Sequence, residues 1–145
     1  MTKTKSISLE KNIRKDVLTN DDLNRQIVLD YIRYYNSFEI ENMIDLFSQD
    51  CCFENISNSS KPIQCIGKNA LYEIAFGTSK LFKERKQTVK NWIIGENKIA
   101  VEIDYMAVLS GPLPNGLKAG DSINLKGISI YEFENKKIKR LCDFS

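Results

Sequence analysis

At 145 residues, with 42% apolar and 28% charged side chains, the chain has the composition of one soluble globular domain and is long enough to bury a core. Its 21 Lys and Arg against 19 Asp and Glu leave a net charge of +2, spread along the chain, which gives nucleic acid or an anionic membrane surface no footprint. No apolar run approaches the ~20 residues of a membrane span. Histidine is absent, which removes Ser-His-Asp and Cys-His nucleophiles, imidazole metal sites and the side chain most used as a base near neutral pH.

Residues 1–18 are polar and lack the apolar core of a secretory signal, so they read as a mobile N-terminal arm on a cytoplasmic protein. Cys51, Cys52, Cys65 and Cys142 form no C-x-x-C pair, and reduced thiols are expected of them. Residues 19–145 read as a single domain. Thr19-Asn20-Asp21-Asp22 offers a capping box for a first helix, with Leu23, Ile27, Val28, Ile32 and Tyr35 as its apolar stripe and Tyr31 beside it. Asn36-Ser37 breaks that helix, and Ser37 is placed to cap a second one carrying Ile40, Met43, Ile44 and Phe47. A short strand over 51–56, a loop ending at Gly67 and a third helix over 68–83 follow, with Gly77 a point for a kink.

After the charged stretch Lys83–Lys86 come four strands: one over 88–94, then 99–109, 122–133 and 137–144. The connection between 109 and 122, with three glycines and two prolines, is a candidate mobile lip. Helices first and strands afterwards mean α+β, with three helices on a curved, mostly antiparallel sheet enclosing a cone-shaped cavity. In the strand over 99–109, Ile99, Val101, Ile103, Tyr105, Ala107 and Leu109 alternate with Ala100, Glu102, Asp104, Met106 and Val108. Residues two apart on a strand share a face, about 7 Å apart, so Glu102 and Asp104 share theirs with Met106 and Val108. Acids on a face that turns apolar point to a pocket lining, and Asp143 in the closing strand supplies a third carboxyl. With apolar residues on both faces of the strands, one sheet face would stay uncovered, which points to a homodimer packed through the sheet.

The element order, the stretch YNSFEIENMIDLFSQDCCFEN and the closing GISIYEFENKKIKRLCDFS resemble the nuclear transport factor two-like superfamily, and within it the SnoaL-like branch, over residues 20–145. That superfamily includes polyketide cyclases, ketosteroid isomerases and limonene-epoxide hydrolases. The resemblance implies a cone-shaped α+β barrel and a cofactor-free acid–base enzyme acting on an apolar, oxygen-bearing molecule, with neither metal nor organic cofactor. The alternative it leaves open is a non-catalytic ligand-binding or dimerisation module. Carried over from the epoxide hydrolases, Phe53-Glu54-Asn55 matches an aromatic-x-Asn, with Phe53 where the family has tyrosine. The match then implies Asp143 as base, Asp104 as acid and Asn55 as positioner, with Glu102 at the family's arginine. Carried over from the steroid isomerases, Tyr31 falls at the oxyanion donor, Asn55 at the base and Ser129 at the second acid. An amide cannot shuttle a proton, and the cyclases' histidine is missing. Tyr31, Phe53, Glu102, Met106 and Ser129 are thus the expected ligand contacts. Three acids in one cavity would need a cation such as Lys126 or a lysine of the 112–120 loop, Glu102 turned outward, or a proton on Glu102 or Asp104, the last being the expectation.

Overall fold

The computed structural model describes residues 18–145 apart from 59, so the expected N-terminal arm lies, but for Leu18, outside the described residues. Helices α1 Asn20–Asn36 and α2 Ile40–Asp45 come first, then β1 Phe47–Ile56 and β2 Ile63–Ile66, helix α3 Lys68–Ser79, and β3 Phe82–Gly95, β4 Lys98–Leu109, β5 Ser122–Glu134 and β6 Lys137–Phe144. The six strands form one sheet in the order β2-β1-β6-β5-β4-β3. Every pairing is antiparallel except that of β1 with β6. The fold is α+β as the sequence implies, but the sheet is open, with β2 and β3 as edges, rather than a closed barrel. None of its helices, among the described residues, is long and apolar enough to cross a membrane.

The start of α1 is set by its first turn. The Thr19 hydroxyl accepts from the Asp22 backbone N–H at 3.1 Å, and the Asp22 carboxylate accepts from the Thr19 N–H at 3.2 Å, the reciprocal capping box the sequence predicts. Its other end differs. Ser37 closes α1 rather than capping α2, donating its hydroxyl to the Arg33 carbonyl at 2.8 Å, because the backbone at Phe38 turns left-handed (φ 60) before α2 can start. The N-cap of α2 is Glu39, with no side-chain cap bond, and Phe47 leaves that helix to open β1, buried in the core.

Other boundaries move for one reason: sheet pairing extends strands into stretches that look like loop or helix in isolation. Ile63–Ile66 adds an antiparallel strand beside β1. The third helix stops at Ser79, two residues past Gly77, and Phe82 already belongs to β3, which pairs along its length with β4. The 110–121 connection folds back on itself. Leu113 N–H bonds to Leu117 O at 2.9 Å, and the Lys118 N–H to the Asp121 carboxylate at 2.8 Å. Its first residue, Ser110, is tied to Lys80 and Leu81 of the α3–β3 connection.

The helices cover one face of the sheet. Ile99, Val101, Ile103, Ala107 and Leu109 of β4 are buried beneath them, together with Tyr131, Phe133, Ile138 and Leu141. Breaks in register between Val89 and Asn91 and between Glu132 and Phe133 mark bulges. Bulges bend a sheet and deepen its twist.

Candidate functional site

Strand register brings three polar residues into one row on the helix-facing side. Asp143 of β6 stands between Asn55 of β1 and Ser129 of β5. The Ser129 hydroxyl donates to Asp143 Oδ1 at 2.6 Å. Asp143 lines both lobes of a cavity between sheet and helices, a deep lobe of ≈ 120 Å³ and a mouth lobe of ≈ 250 Å³. Asn55, Tyr35 and Thr78 border both as well. Asp143 is itself half-buried and lines this cavity. Burial pushes its carboxyl up from 3.8 to about 6, and the Ser129 hydrogen bond only partly opposes that.

Hydroxyls stand around that carboxyl. Tyr35 donates to the Tyr105 hydroxyl at 3.0 Å, so the proton on Tyr105 is left for another acceptor. Tyr31 and Tyr131 pack edge-to-face with ring centroids 5.7 Å apart. Burial first, and the charge of Asp143 next, hold both of their hydroxyls well above the usual tyrosine range. Tyr35 and Tyr105 are raised chiefly by burial too. All four are neutral donors near pH 7. The Tyr131 hydroxyl and Gln87 Oε1 are buried with no hydrogen-bond partner among the described residues.

Among the described residues, one cation reaches this cavity. Arg85, 4% exposed, lines the deep lobe with Asp143. Its Nε donates to the Tyr35 carbonyl at 2.8 Å, and its guanidinium lies 3.7 Å from the Tyr35 ring centroid and 4.5 Å from that of Phe38. Its neighbour along the same face, Gln87, is fixed by Asn36, which exchanges two bonds with the Gln87 backbone at 2.8 and 3.2 Å. Arg85 and Gln87 sit in what reads as a charged stretch. The available signal is period two: Arg85, Gln87 and Val89 face inward while Glu84, Lys86 and Thr88 face out.

The expected residues therefore divide. Asn55, Asp143, Ser129, Tyr31 and Phe53 converge on the cavity. Glu102, Asp104 and Met106 do not: they lie on the opposite face of β4, and the expectation that they line the same pocket is corrected. Glu102 is exposed, and Asp104 is held by Lys126 at 3.3 Å and Lys90 at 4.0 Å. The apolar residues that share their face mark an uncovered sheet surface, not a cavity. Of the ways out of three-acid crowding, the structure takes two: Glu102 faces solvent and Lys126 reaches Asp104, so the three acids do not share one cavity. The 110–121 connection lines neither lobe.

A wider groove of ≈ 580 Å³ runs over that outer face between Lys90, Glu102, Asp104, Lys126 and Phe144. It is open to solvent and its Asp104 is already paired, so a ligand there competes with water and lysine. The inner cavity, with an enclosed carboxyl and unpaired polar groups, is the candidate site. Among the described residues no group of three or more Cys, Asp or Glu side chains converges as metal ligands would.

Comparison with known proteins agrees with this architecture. A family model described as a SnoaL-like domain matches residues 28–141. A phenazine biosynthesis-related protein from Pseudomonas aeruginosa superposes with a TM-score of 0.71 at 22% identity, over 84% of this chain and 74% of that one. A candidate polyketide cyclase from Xanthomonas campestris pv. campestris gives 0.69 at 15% identity, over 88% and 93%. A protein of ketosteroid isomerase-like fold from Catenulispora acidiphila, solved with trimethylamine, gives 0.69 at 12% identity, over 82% and 84%. At such identities these likenesses establish fold alone. No curated protein matches the sequence.

Proposed function

The chain belongs to the SnoaL-like domain family, and from that premise we propose that it is a small-molecule enzyme working by acid–base chemistry in the cavity around Asp143. The observation that carries this reading is the setting of Asp143: an enclosed carboxyl with a pKa of about 6, facing a cavity ringed by neutral hydroxyl donors. A base poised near the working pH combines ready ionisation with real basicity.

The reaction this arrangement suits is proton abstraction next to a carbonyl. Ionised Asp143 takes the proton, and the C–H electron pair forms a carbon–carbon double bond as the carbonyl oxygen gains the negative charge. Tyr105, whose own proton is free while it accepts from Tyr35, donates a hydrogen bond to that oxygen. Asp143 then returns the proton, either to a different carbon, which isomerises the substrate, or to the alkoxide left after the enolate carbon has attacked a second carbonyl, which cyclises it. Asn55, beside Asp143, positions the reacting group. Tyr105 thereby takes the acid's role that the epoxide-hydrolase pattern gives to Asp104.

Deuterium exchange tests this. The protein is incubated in deuterium oxide with a small cyclic β,γ-unsaturated ketone, and exchange next to the carbonyl is followed by NMR. Wild type is expected to accelerate exchange, and Asp143→Asn to lose ~10²–10⁴-fold of that acceleration, the usual contribution of a general base. A wild-type rate no greater than buffer favours the second reading, a non-catalytic binding module, which the position of Asp104 outside the cavity supports. The proposal also includes a second copy of the chain on the outer sheet face, where Ile66, Ile93, Ile128 and Phe144 are exposed.

A further inference from the structure

Arg85 has an unmet need. Its charge is permanent, it is 4% exposed, and among the described residues no carboxylate stands within ion-pair distance. A guanidinium taken out of water without an anion is costly unless something compensates it. Two aromatic rings and the Tyr35 carbonyl do so in part. Nη2 remains buried without any acceptor among the described residues, on a side chain that borders the deep lobe.

We propose that Arg85 is the anchor for a carboxylate on the ligand, so that the cavity takes a small, apolar ring compound bearing one carboxylate. This rests on the inner cavity being the ligand site, as in the function proposed above. Three features narrow the class. The deep lobe is walled by Tyr31, Phe47, Phe53 and Leu71, which suit a flat hydrocarbon ring. Each lobe, ≈ 120 and ≈ 250 Å³, lies below the ~300–1,000 Å³ range of ligand pockets, and the two together only just reach it, enough for one or two rings. A single guanidinium, with no second cation in either lobe among the described residues, matches a singly charged planar anion better than a phosphate dianion. Anchoring the anion at Arg85 would leave the rest of the ring toward Asp143, which lines the same lobe, so charge and reacting carbon would be held at opposite ends of one ligand.

A competing role is purely structural. Arg85 bonds a carbonyl in the last turn of α1, where positive charge is favoured by the helix dipole. That role uses Nε and leaves Nη2 unexplained. The two can be separated by a readout that depends on ligand charge.

The experiment measures binding of benzoate and 1-naphthoate, each beside its neutral amide, by calorimetry and by the side-chain ¹⁵N signals of Arg85. Asp143→Asn serves as the background, since it isolates binding from turnover. At least one of the two carboxylates is expected to bind, its amide about tenfold or more weaker, and the Arg85 signals to shift on addition. Arg85→Met should abolish the preference for the acid over the amide, and Arg85→Lys should restore part of it. If Arg85→Met fails to fold by circular dichroism, the Arg85 ¹⁵N shift in the Asp143→Asn protein decides alone. The proposal is overturned if neither carboxylate binds, if acid and amide bind alike, or if the preference survives in Arg85→Met. Because deuterium exchange on a neutral ketone reports Asp143 and not Arg85, failure here and failure of the proposed reaction are told apart.

Discussion

Asp143 shows what one half-buried side chain can be made to do, and at what cost to the fold. Its carboxyl holds a proton more tightly folded than unfolded, about 6 against 3.8, so the folded state binds the extra proton between those values. Stability on that account is greatest below about pH 4 and falls as pH rises toward 6, with slope set by the proton difference. Replacing Asp143 with Asn keeps an acceptor for the Ser129 hydroxyl and removes the charge. The variant is expected to be more stable than wild type at pH 7, by up to roughly 3 kcal/mol, and to lose the fall between pH 4 and 6. Urea melts at a series of pH values check this, and an equal or less stable variant at pH 7 would contradict it. Activity should move the opposite way in wild type, rising through pH 6 as the base ionises. Asp143, Asn55 and Ser129 were legible in the sequence because the resemblance places them at family positions on β-strands. Arg85 was not, since a guanidinium inside a charged stretch looks like solvated surface until β3 pairs with β4 and turns every second residue inward.

Among the elements, β4 and β5 illustrate how pattern and packing part company. Alternation along β4 identifies two faces correctly, and Ile99, Val101 and Ile103 do enter the core. Which face holds the pocket cannot be read from alternation, because an uncovered sheet face also carries apolar residues beside its charges. Met106 and Val108 looked like cavity lining for that reason. The capping box of α1 was legible because it is local; the second cap was not, because Phe38 adopts a left-handed backbone that its residue type does not announce. Gly127 of β5 makes a sharper case. A Cβ there would stand 2.7 Å from the Phe144 carbonyl oxygen, a backbone atom that can retreat only by moving the end of β6. Gly127→Ala is expected to destabilise the protein by about 1–3 kcal/mol, as overpacking does, and to disturb Asp143 one residue away. Chemical shifts of the Asp143 and Ser129 side chains check the second effect; unchanged stability and shifts would contradict it.

At the scale of the molecule, one face of the sheet is covered by helices and the other, among the described residues, is bare. Ile66 is 72% exposed and Ile93 60%. Between them runs a chain of charges, Lys98 to Glu132 at 3.4 Å, Glu132 to Arg140 at 2.9 Å and Arg140 to Glu54 at 3.6 Å. Burial raises the Glu132 pKa, but hydrogen bonds from Arg140 and Lys98 outweigh it and bring it below the usual glutamate range, so Glu132 stays ionised near neutral pH. An apolar surface with fixed, self-paired charges suits a second copy of itself better than a charged partner. Sedimentation at micromolar concentration should return the dimer mass, and Ile128→Lys should shift it toward monomer with the fold intact. A monomeric wild type would contradict the proposed assembly and leave the cavity reading untouched.

The cavity reading itself stands or falls with the ionisation of Asp143. With the aspartate carboxyl carbons labelled, NMR titration of wild type beside Asp143→Asn assigns that one signal directly. A carboxyl titrating near pH 6 in wild type and missing from the variant is the predicted result. If every aspartate titrates below about pH 5, close to the reference value for exposed carboxyls, Asp143 is not the enclosed base on which the proposed chemistry depends.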